Sequence, residues 1–109
     1  MAVVYKVLGQ VAPSATTETD IYTVPSATAA VISSILICNR SAVAVTFRVS
    51  VSVGGGATAN KDYIYYDITL AAYDTFAATL GITLATTDKI RVYASTGNLS
   101  FSVYGSELT

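Results

Sequence analysis

The chain has 109 residues, enough for one domain with a single core and too few for two. Charged residues make up 12% of it, against roughly 25% in an average globular domain, while hydrophobic residues reach 52%, so its surface must be built from Ser, Thr, Ala and Tyr. A net charge of -1 with six scattered basic residues leaves no phosphate-binding stripe, which argues against nucleic-acid binding, and no apolar run approaches the about 18 residues of a membrane span.

Strand-type alternation recurs along the chain and sustained helical periodicity does not, which predicts an all-β fold. Val3 to Leu8 reads as a first strand ended by Gly9, and Val11 to Asp20 as a loop. Ile21 to Val24 is a short second strand stopped by Pro25, which has no N–H for a ladder. Ala29 to Asn39 carries the nearly continuous apolar run ILIC and is expected in the middle of a sheet, covered on both sides, with Cys38 as a buried apolar filler. One cysteine permits no intrachain disulfide.

Val43 to Val53 alternates almost without error: Val45, Phe47, Val49, Val51 and Val53 face the core, while Thr46, Arg48, Ser50 and Ser52 face out. An outer face of hydroxyls and one guanidinium is unusual for a free-standing domain and predicts burial against other protein. Gly54, Gly55 and Gly56 end the strand in a flexible tip, and no helical pattern follows that would make them a phosphate cradle.

Tyr63 to Leu70, Thr75 to Leu80, Lys89 to Ala94 and Leu99 to Tyr104 complete the set, separated by turn chemistry at Asn60, Tyr73-Asp74, Thr87-Asp88 and Thr96-Gly97-Asn98. About eight strands spaced a dozen residues apart predict a two-sheet antiparallel β-sandwich over residues 1–109, the jelly roll being among the orders it allows.

Histidine is absent, which removes the commonest general base and metal ligand and every Ser-His or Cys-His dyad. Asp62 and Asp67 have opposite parity in one strand, and Glu18 and Asp20 lie in a polar loop, so neither pair reads as a catalytic or calcium site. The chain is expected to be no enzyme and to take no cofactor or metal. The sequons at Asn39 and Asn98 read as chance matches, because the N-terminus lacks a signal peptide's basic and apolar regions.

The outward faces carry more. Ile64, Tyr66, Ile68 and Leu70 take the core parity of their strand, which leaves Tyr63, Tyr65 and Asp67 outside. Lys89, Arg91 and Tyr93 point out of the next strand, and Tyr104 out of the last. Tyrosines beside arginines make contact surfaces, so Arg40, Arg48, Tyr63, Tyr65, Arg91, Tyr93 and Tyr104 form the expected interface. Cross-strand tyrosine pairing on a wet sheet, or sugar stacking, are the alternatives.

The segments YKVLGQ (Tyr5 to Gln10), IYTVP (Ile21 to Pro25), ICNRS (Ile37 to Ser41), YIYYDITLAAYDTF (Tyr63 to Phe76) and LGITLATTDKIRVYASTGNLSFSVYGSEL (Leu80 to Leu108) resemble a family of small virion structural proteins of tailed bacteriophages. The resemblance implies a β-sandwich module that forms a symmetric homo-oligomer, expected as a trimer, on the particle. It would serve there as a capsid cement or decoration protein bound to the major capsid protein, or as a tail, baseplate or fibre module that could bind a receptor or glycan. It also implies assembly in the bacterial host cytoplasm, and offers no catalytic residue.

Overall fold

A computed structural model describes residues 2–109. Eight strands form: β1 (Val3–Val11), β2 (Thr19–Thr23), β3 (Ala29–Asn39), β4 (Val45–Ser52), β5 (Tyr63–Leu70), β6 (Thr75–Leu84), β7 (Lys89–Ala94) and β8 (Leu99–Leu108). They build two four-stranded sheets of order β1-β8-β3-β6 and β2-β7-β4-β5. Within these sheets β1 pairs with β8, β2 with β7, β3 with β6 and β4 with β5, all antiparallel. That is one long hairpin folded at the β4–β5 connection and then rolled up, the rolling adding the β3–β8 and β4–β7 contacts. The expected antiparallel sandwich is therefore present, in jelly-roll order.

Three strands outrun their predicted ends. β1, β6 and β8 were expected to stop just before Gly9, Gly81 and Gly105, yet they continue to Val11, Leu84 and Leu108. Each glycine lies beside a register shift instead. Leu8 is an extra residue in β1 opposite β8, Ser33 is extra in β3 opposite β8, and β6 carries Leu80 and Gly81 where β3 has Ser33 alone. The shifts line up across the sheet as one row of bulges, which bends and twists it. They also reset the alternation: Ile35, Ile37 and Asn39 face the core on one side of the row, Ile32 and Ala30 on the other.

The core lies between the sheets around Phe47, Phe101, Ile32, Ile35, Ile37, Ile90 and Leu99, all fully buried. Phe47 sits at its middle, 5.2 Å from the Phe76 ring and 6.4 Å from Phe101. Burying each such side chain stabilises by about 1.5–3 kcal/mol. β3 is an interior strand as expected, but it is covered on one side only. Ile35 and Ile37 point in while Cys38 points out and is exposed, because no further layer packs on that outer face. Val53, expected in the core, is exposed because β4 ends at Ser52 and the chain turns there.

Candidate functional site

The hydroxyl face of β4 is divided between two environments. Ser50 and Ser52 are only 2% exposed. What covers them is the chain's own segment 53–62, which folds back over the sheet: Ser52 Oγ donates to the Gly56 carbonyl at 2.6 Å. Arg91 on β7 holds that segment down, donating to the carbonyls of Gly56 (2.6 Å) and Gly55 (3.1 Å) and to Thr58 Oγ1 (3.0 Å). Asp88 assists by accepting the Gly54 N–H at 2.8 Å. For these two serines the expected burial against other protein is met within the molecule.

The rest of the face centres on Arg48. A bulge in β5 places Tyr66 and Asp67 together opposite this one residue, since Phe47 pairs with Ile68 and Val49 with Tyr65. Asp67 takes the left-handed conformation this requires, with φ of 50°, a region aspartate tolerates better than most residues. Both β5 side chains consequently reach Arg48. Asp67 grips the guanidinium with both oxygens, at 2.7 Å to Nε and 3.3 Å to Nη2. Tyr66 covers one side of it, and Tyr93, directly opposite on β7, also lies against it, each ring centre 4.3 Å from Cζ. Tyr63 packs edge-on to Tyr66 at 4.9 Å. The Asp67 carboxylate holds Arg48 protonated well beyond its already high range. The product is a rigid aromatic and guanidinium platform with its charge neutralised from within.

The structure brings Arg48, Tyr63 and Tyr93 of the expected interface together and scatters the others. Tyr65 was expected outside, but the same bulge turns it inward, 5.2 Å from Phe76 and 6.2 Å from Phe47. Tyr66 and Ile64 were expected inside and are exposed. Arg91 is only 12% exposed and fully engaged by its own chain. Arg40 lies on the β3–β4 loop and donates to the Gly97 carbonyl at 2.8 Å. Tyr104 faces outward as expected, but on the other sheet, beside a groove lined by Tyr5, Val7, Val31 and Ser33.

Carboxylates elsewhere tie strands together. The Tyr22 hydroxyl on β2 donates to Glu107 of the opposite sheet at 2.6 Å, and Lys6 pairs with the same carboxylate at 2.7 Å. Lys6 first and Tyr22 second hold the Glu107 carboxyl below its ordinary range. Lys89 and then Arg91 do the same for Asp20, and the Ala59 N–H and then Lys61 for Asp62. A carboxylate with a lowered folded-state pKa contributes stability above its unfolded value of about 4, and that contribution disappears as pH falls through the folded value. Acid titration followed by circular dichroism should therefore show stability dropping below about pH 4, and Glu107→Gln should flatten that limb.

Every basic side chain has an acceptor in its own chain: Lys6, Arg48, Lys61, Lys89 and Arg91 pair with carboxylates, and Arg40 with Gly97. Among the described residues no group of three or more His, Cys, Asp or Glu side chains is placed to hold a metal. No helix among them is long and apolar enough to cross a membrane. The fold and this platform define a jelly-roll domain with an ordered aromatic and guanidinium cluster on one outer face.

No protein-family model and no curated protein matches the chain. Among solved structures it is similar to a chain in the structure of infectious bursal disease virus, Gx strain, with a TM-score of 0.56 and 16% identity over 97% of this chain. It spans 30% of the length of that viral chain, and at this identity the likeness is one of fold.

Proposed function

We propose that the chain is a non-enzymatic virion structural protein that works by burying its Arg48 platform against a neighbouring protein of the particle. The single observation that carries this is the Tyr66–Arg48–Tyr93 stack, locked by Asp67 in a chain with few charges. Tyrosine and arginine dominate binding hot spots, and side chains already held in place lose little freedom on association. Jelly rolls recur in viral capsid and lectin domains. The viral fold likeness and the resemblance to tailed-phage virion proteins support the same reading.

Within it, the protein is a capsid cement or decoration protein that self-associates, bridges capsomers made of the major capsid protein, and is assembled in the bacterial host cytoplasm. Many modest contacts repeated on a lattice add up through effective concentration, which reinforces the shell without any turnover. Arg48→Ala should keep its fold, since exposed ion pairs are worth about 0–1 kcal/mol. It should weaken binding to intact particles by about 30-fold or more, the equivalent of a ~2 kcal/mol hot spot. Equal particle occupancy by mutant and wild type, measured by quantitative labelling, would remove the platform from the assembly.

The Tyr63–Tyr66 ring pair, in which Tyr66 is exposed, favours one second reading, a tail or fibre module that stacks a sugar on tyrosine. Glycan binding by the purified chain, lost in Tyr66→Ala, is the result that would select it.

A further inference from the structure

The four sheet edges are guarded unequally. β2 is five residues long and carries Asp20 with its Lys89 and Arg91 partners, β5 is broken by the Asp67 bulge, and β6 is broken by the irregularity at Leu80 and Gly81. Short strands, charge and bulges of this kind block edge-to-edge pairing. β1 has no bulge over Val3–Val7 and a single charge there. Beyond its bulge the β1 backbone runs against β2, so closely that a Cβ on Gly9 would strike the Ile21 carbonyl. Before the bulge, Val3, Tyr5 and Val7 are 48%, 83% and 50% exposed. The one charge in this stretch, Lys6, is already neutralised by Glu107.

The backbone pattern indicates what would cover this edge. Ala2 and Thr109 exchange both N–H···O=C bonds, so Ala2 forms a hydrogen-bonded pair with the end of β8. Such pairs alternate along an antiparallel ladder. Val4 and Lys6, opposite Glu107 and Gly105, therefore turn their amides toward β8, while Val3, Tyr5 and Val7 turn theirs to the free edge. The three residues with free backbone groups are all apolar and exposed, as is Val4, 50% exposed, whose backbone is already paired with β8.

We infer that β1 pairs antiparallel with β1 of a second copy about a two-fold axis through Tyr5, joining two β1-β8-β3-β6 sheets into one continuous sheet. In this register Tyr5 meets Tyr5 of the other copy and Val3 meets Val7, each as a hydrogen-bonded pair. Lys6 falls opposite Val4, so no like charges face each other. The Val3, Tyr5 and Val7 side chains of both copies line one side, continuous with the groove of about 470 Å³ lined by Tyr5, Val7, Val31 and Tyr104. An isologous contact of this kind closes at two copies. It rests on and deepens the self-association reading, with two copies in place of the expected three, and leaves the Arg48 platform free.

Sedimentation of the purified full chain tests this. Wild type should be a dimer, and Tyr5→Lys, which sets two like charges directly opposite, should be a folded monomer. Tyr73→Lys adds the same charge at an exposed turn residue on the β5–β6 connection and should remain a dimer. Cα atoms of a hydrogen-bonded pair lie about 5.5 Å apart, within disulfide reach. In a Cys38→Ser background, oxidised Tyr5→Cys should therefore cross-link to a dimer. Val3→Cys alone should not, and a mixture of Val3→Cys with Val7→Cys should. A monomeric wild type at millimolar concentration, or a Tyr5→Lys dimer, would overturn the pairing. Loss of particle binding in Arg48→Ala with the dimer intact would separate this result from the platform reading.

Discussion

Phe47→Ala is expected to destabilise the protein by about 3–5 kcal/mol, the range for removing a buried phenylalanine. Phe47 is fully buried and its ring is shared by Tyr65, Phe76 and Phe101, which come from β5, β6 and β8. Truncation would leave a cavity bordered by aromatic rings from both sheets, and rigid rings collapse into such space poorly. Domains of this size have only about 5–15 kcal/mol to lose. Urea unfolding followed by circular dichroism should show the midpoint falling with little change in slope; an effect under about 1 kcal/mol would mean that the sheets close over the gap. Arg48 is the next residue in the strand and faces the other way, so a folded Phe47→Leu variant should retain the platform.

Gly105→Ala should be strongly destabilising for a change of a single methyl group. A Cβ built there runs into the backbone carbonyl of Val31 on the neighbouring strand, which cannot swing aside as a side chain end could. Ordinary overpacking costs about 1–3 kcal/mol, and a clash with paired backbone should lie at or above the top of that range. Gly81→Ala is the control. Gly81 belongs to the same row of irregularities in the same sheet, but a Cβ there meets nothing within 4 Å. Thermal unfolding should separate the two by at least 10 °C, given about 4–8 °C per kcal/mol for a domain of this size. Equal melting temperatures would mean that β3 and β8 can shift apart at the bulge without loss.

The eight strands were legible because alternation is a local property: each run of Val, Ile, Phe and Tyr declares its own period without knowledge of its partners. Val45, Phe47 and Val49 face the core and Arg48 the outside for that reason. Gly9 was read as the end of β1 because, taken locally, glycine breaks strands, and the alternation of β6 and β8 was followed only as far as Gly81 and Gly105. In the folded sheet, neighbouring strands carry matching irregularities and the ladder runs on through all three. β5 misled for the same cause, since the extra residue at the Asp67 bulge exchanges Tyr65 with Tyr66, and a second shift at Ile64 returns Tyr63 to the outer face.

Composition and period were thus enough to specify an all-β, histidine-free, charge-poor sandwich with Arg48 on its outer surface. Only the tertiary structure decided which tyrosines join that arginine, that segment 53–62 rather than another molecule buries Ser50 and Ser52, and which sheet edge stays open. Those outcomes depend on register and on contacts between residues far apart in the chain, and a shift of one residue, which barely changes the local pattern, sends side chains to the opposite face.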